Sequence, residues 1–135
     1  MHWVVDGMNV IGSRPDGWWR DRAGARRRLV SELALLVDED VEVTVVFDGR
    51  PGPGEVDAAA DAGVTARFAP GGPNAADHAI VELLPGLPDH GPVTVVTSDG
   101  ALADAVRRAG VAVEGVKAFR GRLPDSRNEP KPGPR

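Results

Sequence analysis

The stretch Trp3-Val4-Val5-Asp6-Gly7-Met8-Asn9-Val10-Ile11-Gly12 decides the reading of the fold. Its apolar run shows no alternation, as expected of a strand covered on both faces. The run stops at an acid, a glycine and an amide, so the carboxyl end of the strand delivers a carboxylate, Asp6. Two later stretches repeat this pattern: Val43-Thr44-Val45-Val46-Phe47-Asp48-Gly49 and Val93-Thr94-Val95-Val96-Thr97-Ser98-Asp99-Gly100. Strands that each end in Asp-Gly are the main functional signal of the chain.

Between these strands the pattern predicts helices. Residues 12–20, around Arg14-Pro15-Asp16-Gly17, have turn composition. Ala25, Leu29, Leu33, Leu36 and Val37 recur at spacings of three and four and predict a helix over 21–38. Residues 41–47 form the second strand, 55–62 a short helix and 64–69 a weak third strand. Pro70-Gly71-Gly72-Pro73 then breaks the chain. Asn74 reads as the N-cap of a helix with Asp77 in its first turn. Residues 93–97 form the fourth strand. A helix capped by Ser98 or Asp99 follows to residue 109, then a short fifth strand at 111–113. Residues 116–123 carry no decisive pattern. There is no internal repeat. Residues 1–123 read as one domain, and residues 124–135 as a proline-rich tail without fixed structure.

Strands alternating with helices specify a parallel α/β sheet with helices on both faces. Right-handed crossovers favour the strand order 3-2-1-4-5. The first strand then lies beside the fourth at the switch point, where such sheets bind ligands beyond their carboxyl ends. Neighbouring strands lie about 4.8 Å apart, so Asp6, Asp48 and Asp99 are expected at one edge of the sheet.

Composition narrows the chemistry. The 135 residues hold no cysteine, which excludes disulfides, thiolate metal sites and cysteine nucleophiles. Sixteen Lys and Arg against twenty Asp and Glu give a net charge of −4, so there is no general attraction to nucleic acid. No apolar run reaches the roughly 18 residues needed to span a membrane, and no signal segment is visible. A cytoplasmic protein is the expectation.

Like charges that converge without a counter-charge raise one another's pKa. A divalent cation resolves the repulsion, and oxygen donors suit Mg²⁺ or Mn²⁺. A cation held at a sheet edge suits phosphodiester cleavage. Asp77 would join the acids from the helix before the fourth strand, although an acid there also stabilises the helix start. Asp99 also reads as an N-cap and Asp48 as turn chemistry. Asn9 reads equally as a phosphate- or water-orienting amide and as a turn residue. Thr97 and Ser98 are expected to bond backbone groups.

A basic, aromatic stretch follows the first strand. Residues 14–28 contain Arg14, Arg20, Arg22, Arg26, Arg27 and Arg28 with Trp18 and Trp19. Such a mixture suits a single-stranded nucleic acid through phosphate contact and base stacking. Arg14, Trp18, Arg20, Arg22 and Arg27 are the candidates for binding it, with Trp18 expected exposed and Trp19 buried. The alternative is a solvated helix face with tryptophans covering the sheet edge. Lys117, Arg120 and Arg122 would extend the surface. The histidines His2, His78 and His90 have no metal-ligand spacing, and His78 reads as a surface residue. Phosphate-loop, dinucleotide and nucleophile-elbow motifs are absent.

Val5-Asp6-Gly7-Met8-Asn9-Val10-Ile11, Val46-Phe47-Asp48-Gly49, Ala76-Asp77-His78-Ala79-Ile80 and Val95-Val96-Thr97-Ser98-Asp99 together resemble the YacP-like branch of the NYN domain family. The resemblance covers most of residues 3–115. It implies a PIN-like α/β fold and a Mg²⁺- or Mn²⁺-dependent endoribonuclease. The implied acidic centre is Asp6, Asp77 and Asp99, with Asp48 and Asn9 contributing. It also implies a role in mRNA decay or at the ribosome. Met8 stands where the family often has tyrosine, and Ala101 where many members carry another acid, which favours one cation over two.

The expectation is therefore a metal-dependent endoribonuclease that cuts single-stranded RNA. The alternatives are a non-catalytic RNA- or ribosome-binding module on the same fold and, third, a small-molecule phosphohydrolase.

Overall fold

The computed structural model describes residues 1–87 and 91–124. His90 and, save Pro124, the expected tail over 124–135 lie outside the described residues. Five parallel strands form one sheet: β1 (His2–Asp6), β2 (Glu42–Asp48), β3 (Thr65–Ala69), β4 (Val93–Val96) and β5 (Ala112–Glu114). Their order is β3-β2-β1-β4-β5, as the alternating pattern predicts. The central strand β1 pairs Asp6 with Val46 of β2 and Val5 with Val96 of β4.

Among the described residues, the helices α1 (Gly7–Gly12), α2 (Arg22–Ala34), α3 (Glu55–Asp61), α4 (Ala75–Leu83) and α5 (Gly100–Arg108) link the strands, and α6 (Val116–Arg120) follows β5. One core joins Trp3, Val5, Val45 and Phe47 to Val10 and Ile11 of α1, Leu29 and Leu33 of α2, Ala59 of α3 and Phe119 of α6. The other joins Val4, Val46, Val93 and Val95 to Ile80 of α4 and to Leu102 and Val106 of α5. The sheet is thus buried on both sides, which explains why β1, β2 and β4 are mainly apolar and do not alternate.

Three local readings change. Residues 7–11, given no element by pattern, form α1, which buries Val10 and Ile11. The helix expected over 21–38 stops at Ala34. Residues 116–120 form α6, with Val116 and Phe119 buried.

Gly7 starts α1 directly over the ring of Phe47. A Cβ at this position would lie 2.5 Å from two ring carbons of Phe47 and 3.0 Å from Val45 Cγ2. Phe47 is buried within the core. Gly7→Ala is therefore expected to cost about 1–3 kcal/mol through overpacking. Urea unfolding measures this, and an unchanged midpoint would mean that the Phe47 ring yields.

Candidate active site

Strand alternation decides where the acids point. In β1, Trp3 and Val5 enter one core, whereas Val4 enters the other. Asp6 follows the parity of Val4, so it faces the α4 and α5 side. In β2, Phe47 enters the first core and Val46 the second, and Asp48 shares the parity of Val46. In β4, Val93 and Val95 face α4 and α5, which sets Thr97 to the same side. Asp77 on α4 and Asp99 at the start of α5 complete the group.

Asp6 is 5% exposed. Its Oδ2 accepts a hydrogen bond from the Thr97 hydroxyl at 3.1 Å. Burial pushes its pKa up to about 6, and the charges of Asp77 and Asp48 push the same way. The Thr97 hydroxyl and the Asn9 backbone N–H oppose this only in part. The Asp77 pKa is also raised, by burial first and then by the charges of Asp99 and Asp48, with His78 opposing. The acids from β1, β2, α4 and the end of β4 therefore share one field.

Backbone groups hold these side chains in place. Asp99 caps α5, its Oδ1 accepting the Leu102 N–H at 2.9 Å. Thr97 Oγ1 accepts the Asp99 N–H at 3.0 Å. Asn9 Oδ1 accepts the Ser98 N–H at 3.1 Å, which ties the ends of β1 and β4 together. Ser98 Oγ accepts the Val116 N–H at 2.9 Å. Asn74 stands at the N-cap of α4, as expected, but at a left-handed φ of 68° it makes no side-chain cap bond. Asp48 takes that role across the fold, its Oδ1 accepting the Ala76 N–H at 3.1 Å. Here a side chain of β2 caps α4, the helix that carries Asp77.

A cleft of about 270 Å³ opens between α4 and α5. Asp77 and Asp99 line it with Asn74, His78, Ala101 and Leu102. His78, read from sequence as a surface residue, borders this cleft. Thr97, read as a backbone partner, also contacts the carboxylate of Asp6. The signal for Thr97 in the sequence is its parity with Val93 and Val95 at the end of the fourth strand. A second cavity of about 360 Å³ lies between α2 and α3, against Phe47 and Phe68. Its carboxylate, Glu55, is engaged by Arg26 at 2.6 Å, and none of the strand-end acids lines it.

The donor set fits a hard divalent cation in chemical type, since all its carboxylates offer oxygen and the pKa of Asp6 and of Asp77 is raised in part by their acidic neighbours. Among the described residues, no group of three or more His, Asp or Glu side chains stands close enough to hold a metal ion unaided. Asp48 and Asp99 each give one oxygen to a helix N–H, which leaves the other for a ligand.

The candidate RNA-binding residues divide. Arg14 is buried, and both its terminal nitrogens bond the Glu32 carboxylate, at 2.7 and 2.9 Å. It is thus a structural residue rather than an exposed phosphate contact. Trp18 and Trp19 exchange their expected places. Trp18 packs partly buried against the first core, and Trp19 is 55% exposed. Arg20, Arg22 and Arg27 are exposed. This basic stretch packs on the α2 side of the sheet, opposite the face that carries Asp6, Asp77 and Asp99.

The model of the YacP-like NYN domain matches residues 3–132. The chain belongs to the YacP-like NYN domain family. A crystal structure of a variant of Rae1 (YacP) from Bacillus subtilis superposes with a TM-score of 0.68 at 22% identity, over 90% of this chain and 73% of that one. No curated protein matches. The five-stranded order and the superposition establish the PIN-like fold. Membership in the NYN family supports a nuclease or RNA-related function. Among the described residues, no helix of this YacP-like domain is long and apolar enough to cross a membrane.

Proposed function

We propose that this domain is a metal-dependent endoribonuclease that cuts single-stranded RNA in the cytoplasm, with residues 1–123 as the catalytic unit. The observation that carries the reading is the shared field of four acids at the switch point, in which Asp48 and Asp77 raise Asp6 while Asp99 and Asp48 raise Asp77. Asp6, Asp77 and Asp99 would hold Mg²⁺ or Mn²⁺, with Asp48 beside them. When bound, the cation supplies charge neutralisation at the phosphate and activation of a water. The chain's own part is positional. Thr97 fixes the Asp6 carboxylate, Asn9 locks β1 to β4, and Asp48 aims the α4 terminus that bears Asp77. Arg20, Arg22 and Arg27 would attract the RNA backbone. Messenger RNA, free or on the ribosome, is the substrate this reading favours.

A second reading has its own support. A non-catalytic RNA- or ribosome-binding module accords with acids partly occupied as helix caps and with the lack of a ready three-ligand group among the described residues.

Cleavage of unstructured RNA in Mn²⁺ and in EDTA separates the two. We expect cleavage in Mn²⁺ alone, and its loss by at least about 100-fold in Asp99→Asn. Asparagine retains a cap oxygen for the Leu102 N–H, so the variant should melt like the wild type. Metal-independent binding without cleavage would establish the module instead, and undiminished cleavage by Asp99→Asn would remove this residue from the centre.

A further inference from the structure

Trp19 combines an exposed aromatic surface with a fixed mounting. It sits in a 3-10 turn, Trp18–Arg20, entered through Gly17 at a left-handed φ of 74°. The Arg20 N–H bonds the Gly17 carbonyl at 3.0 Å, and the Asp21 N–H bonds the Trp18 carbonyl at 3.2 Å. The Trp18 N–H bonds Asp16 Oδ1 at 3.2 Å, and Asp16 Oδ2 in turn accepts Arg28 at 3.2 Å. The turn is therefore tied to α2, and Trp18 anchors it in the core.

A cation lies at each tryptophan of the turn. The Arg20 guanidinium lies 5.9 Å from the Trp19 ring centroid, and that of Arg22 lies 5.3 Å from Trp18. Among the described residues, Arg20 and Arg22 have no ion-pair partner. An aromatic plate beside unneutralised cations is complementary to a base and its flanking phosphates. The two tryptophans meet edge to face, 5.9 Å apart at 86°. Their planes are nearly perpendicular, so two successive stacked bases cannot both lie on them.

We propose that Trp19 is the seat of one unpaired nucleobase of the RNA, and that Trp18 is its support rather than a second stacking surface. This rests on the ribonuclease reading above. The seat lies on the α2 side of the sheet, away from the acids, so the seated base is remote from the cleaved bond and belongs to the same strand passing over the sheet edge.

The test uses fluorescein-labelled single-stranded RNA and fluorescence anisotropy in EDTA, with cleavage in Mn²⁺ assayed separately. Trp19→Ala should weaken binding roughly 5- to 150-fold, with an unchanged melting temperature, and Trp19→Phe should retain most of the affinity. An abasic nucleotide moved along the oligonucleotide should weaken the wild type at one position and leave Trp19→Ala indifferent at every position. Wild-type affinity in Trp19→Ala overturns the seat while the ribonuclease reading stands, and points to a protein contact for Trp19. An equal abasic penalty in both proteins overturns it as well. A wild type that neither binds nor cleaves RNA overturns both readings together.

Discussion

Glu32→Ala is expected to destabilise the protein by about 3–5 kcal/mol, lowering its melting temperature by more than about 10 °C. The buried Arg14 directs two nitrogens at the Glu32 carboxylate, and the Arg28 guanidinium approaches the same carboxylate at 3.8 Å. Removing the carboxylate leaves Arg14 as an uncompensated charge out of contact with water. The pair links the chain after α1 to the body of α2 and so holds the end of β1. The net worth of the pair is a separate matter. Replacing both partners with apolar residues, Arg14→Met with Glu32→Leu, should retain most of the stability. Urea unfolding of the single and double variants gives both values. A single variant within about 1 kcal/mol of wild type would mean that Arg14 reaches solvent once released.

Asp6→Asn acts in the opposite direction. It should stabilise the metal-free protein near pH 7.5 by about 1–2 kcal/mol. Folding raises the Asp6 pKa from 3.8 to about 6, chiefly through burial. A raised acid favours the folded state below the unfolded value and loses that contribution as pH climbs through the folded value. Between about pH 4 and 6 the wild type therefore gives up stability that Asp6→Asn keeps. The full shift of about two units corresponds to roughly 3 kcal/mol. Asparagine recovers less, because its amide nitrogen cannot accept the Asn9 N–H or the Thr97 hydroxyl. Melting curves from pH 3.5 to 8 check this: the two proteins should converge at the acid end and diverge above about pH 6. The same variant should lose stabilisation by Mg²⁺. A lower melting temperature at every pH would show that Asp6 acts mainly as an acceptor for its neighbours.

The sheet was legible because β1, β2 and β4 are mainly apolar without alternation and each runs into an Asp-Gly pair. Strand order then followed from handedness. Even the facing of Asp6, Asp48 and Thr97 could be counted from the parity of Val4, Val46 and Val95. Other features depend on partners far along the chain. Nothing near Arg14 announces Glu32, which arrives from the last turn of α2 and turns a basic turn residue into a buried one. Asn74 stands at the cap position, yet with its left-handed backbone it makes no cap bond, and Asp48, from another strand, accepts the Ala76 N–H instead. Helix α1 is short and bounded by glycines, and exists because Val10 and Ile11 find a core that periodicity over six residues cannot reveal. The exchange of Trp18 and Trp19 turns on one residue of phase in a 3-10 turn.

The cap that Asp48 places on α4 bears on how mutagenesis of this domain is read. An alanine at Asp48 removes an acid and also unfastens the helix that carries Asp77. An alanine at Asp99 likewise uncaps α5. Alanine scanning would thus score both residues as essential whether or not either meets the substrate. Asparagine keeps the acceptor and removes the charge, so the amide series is the one whose activity losses can be assigned to chemistry.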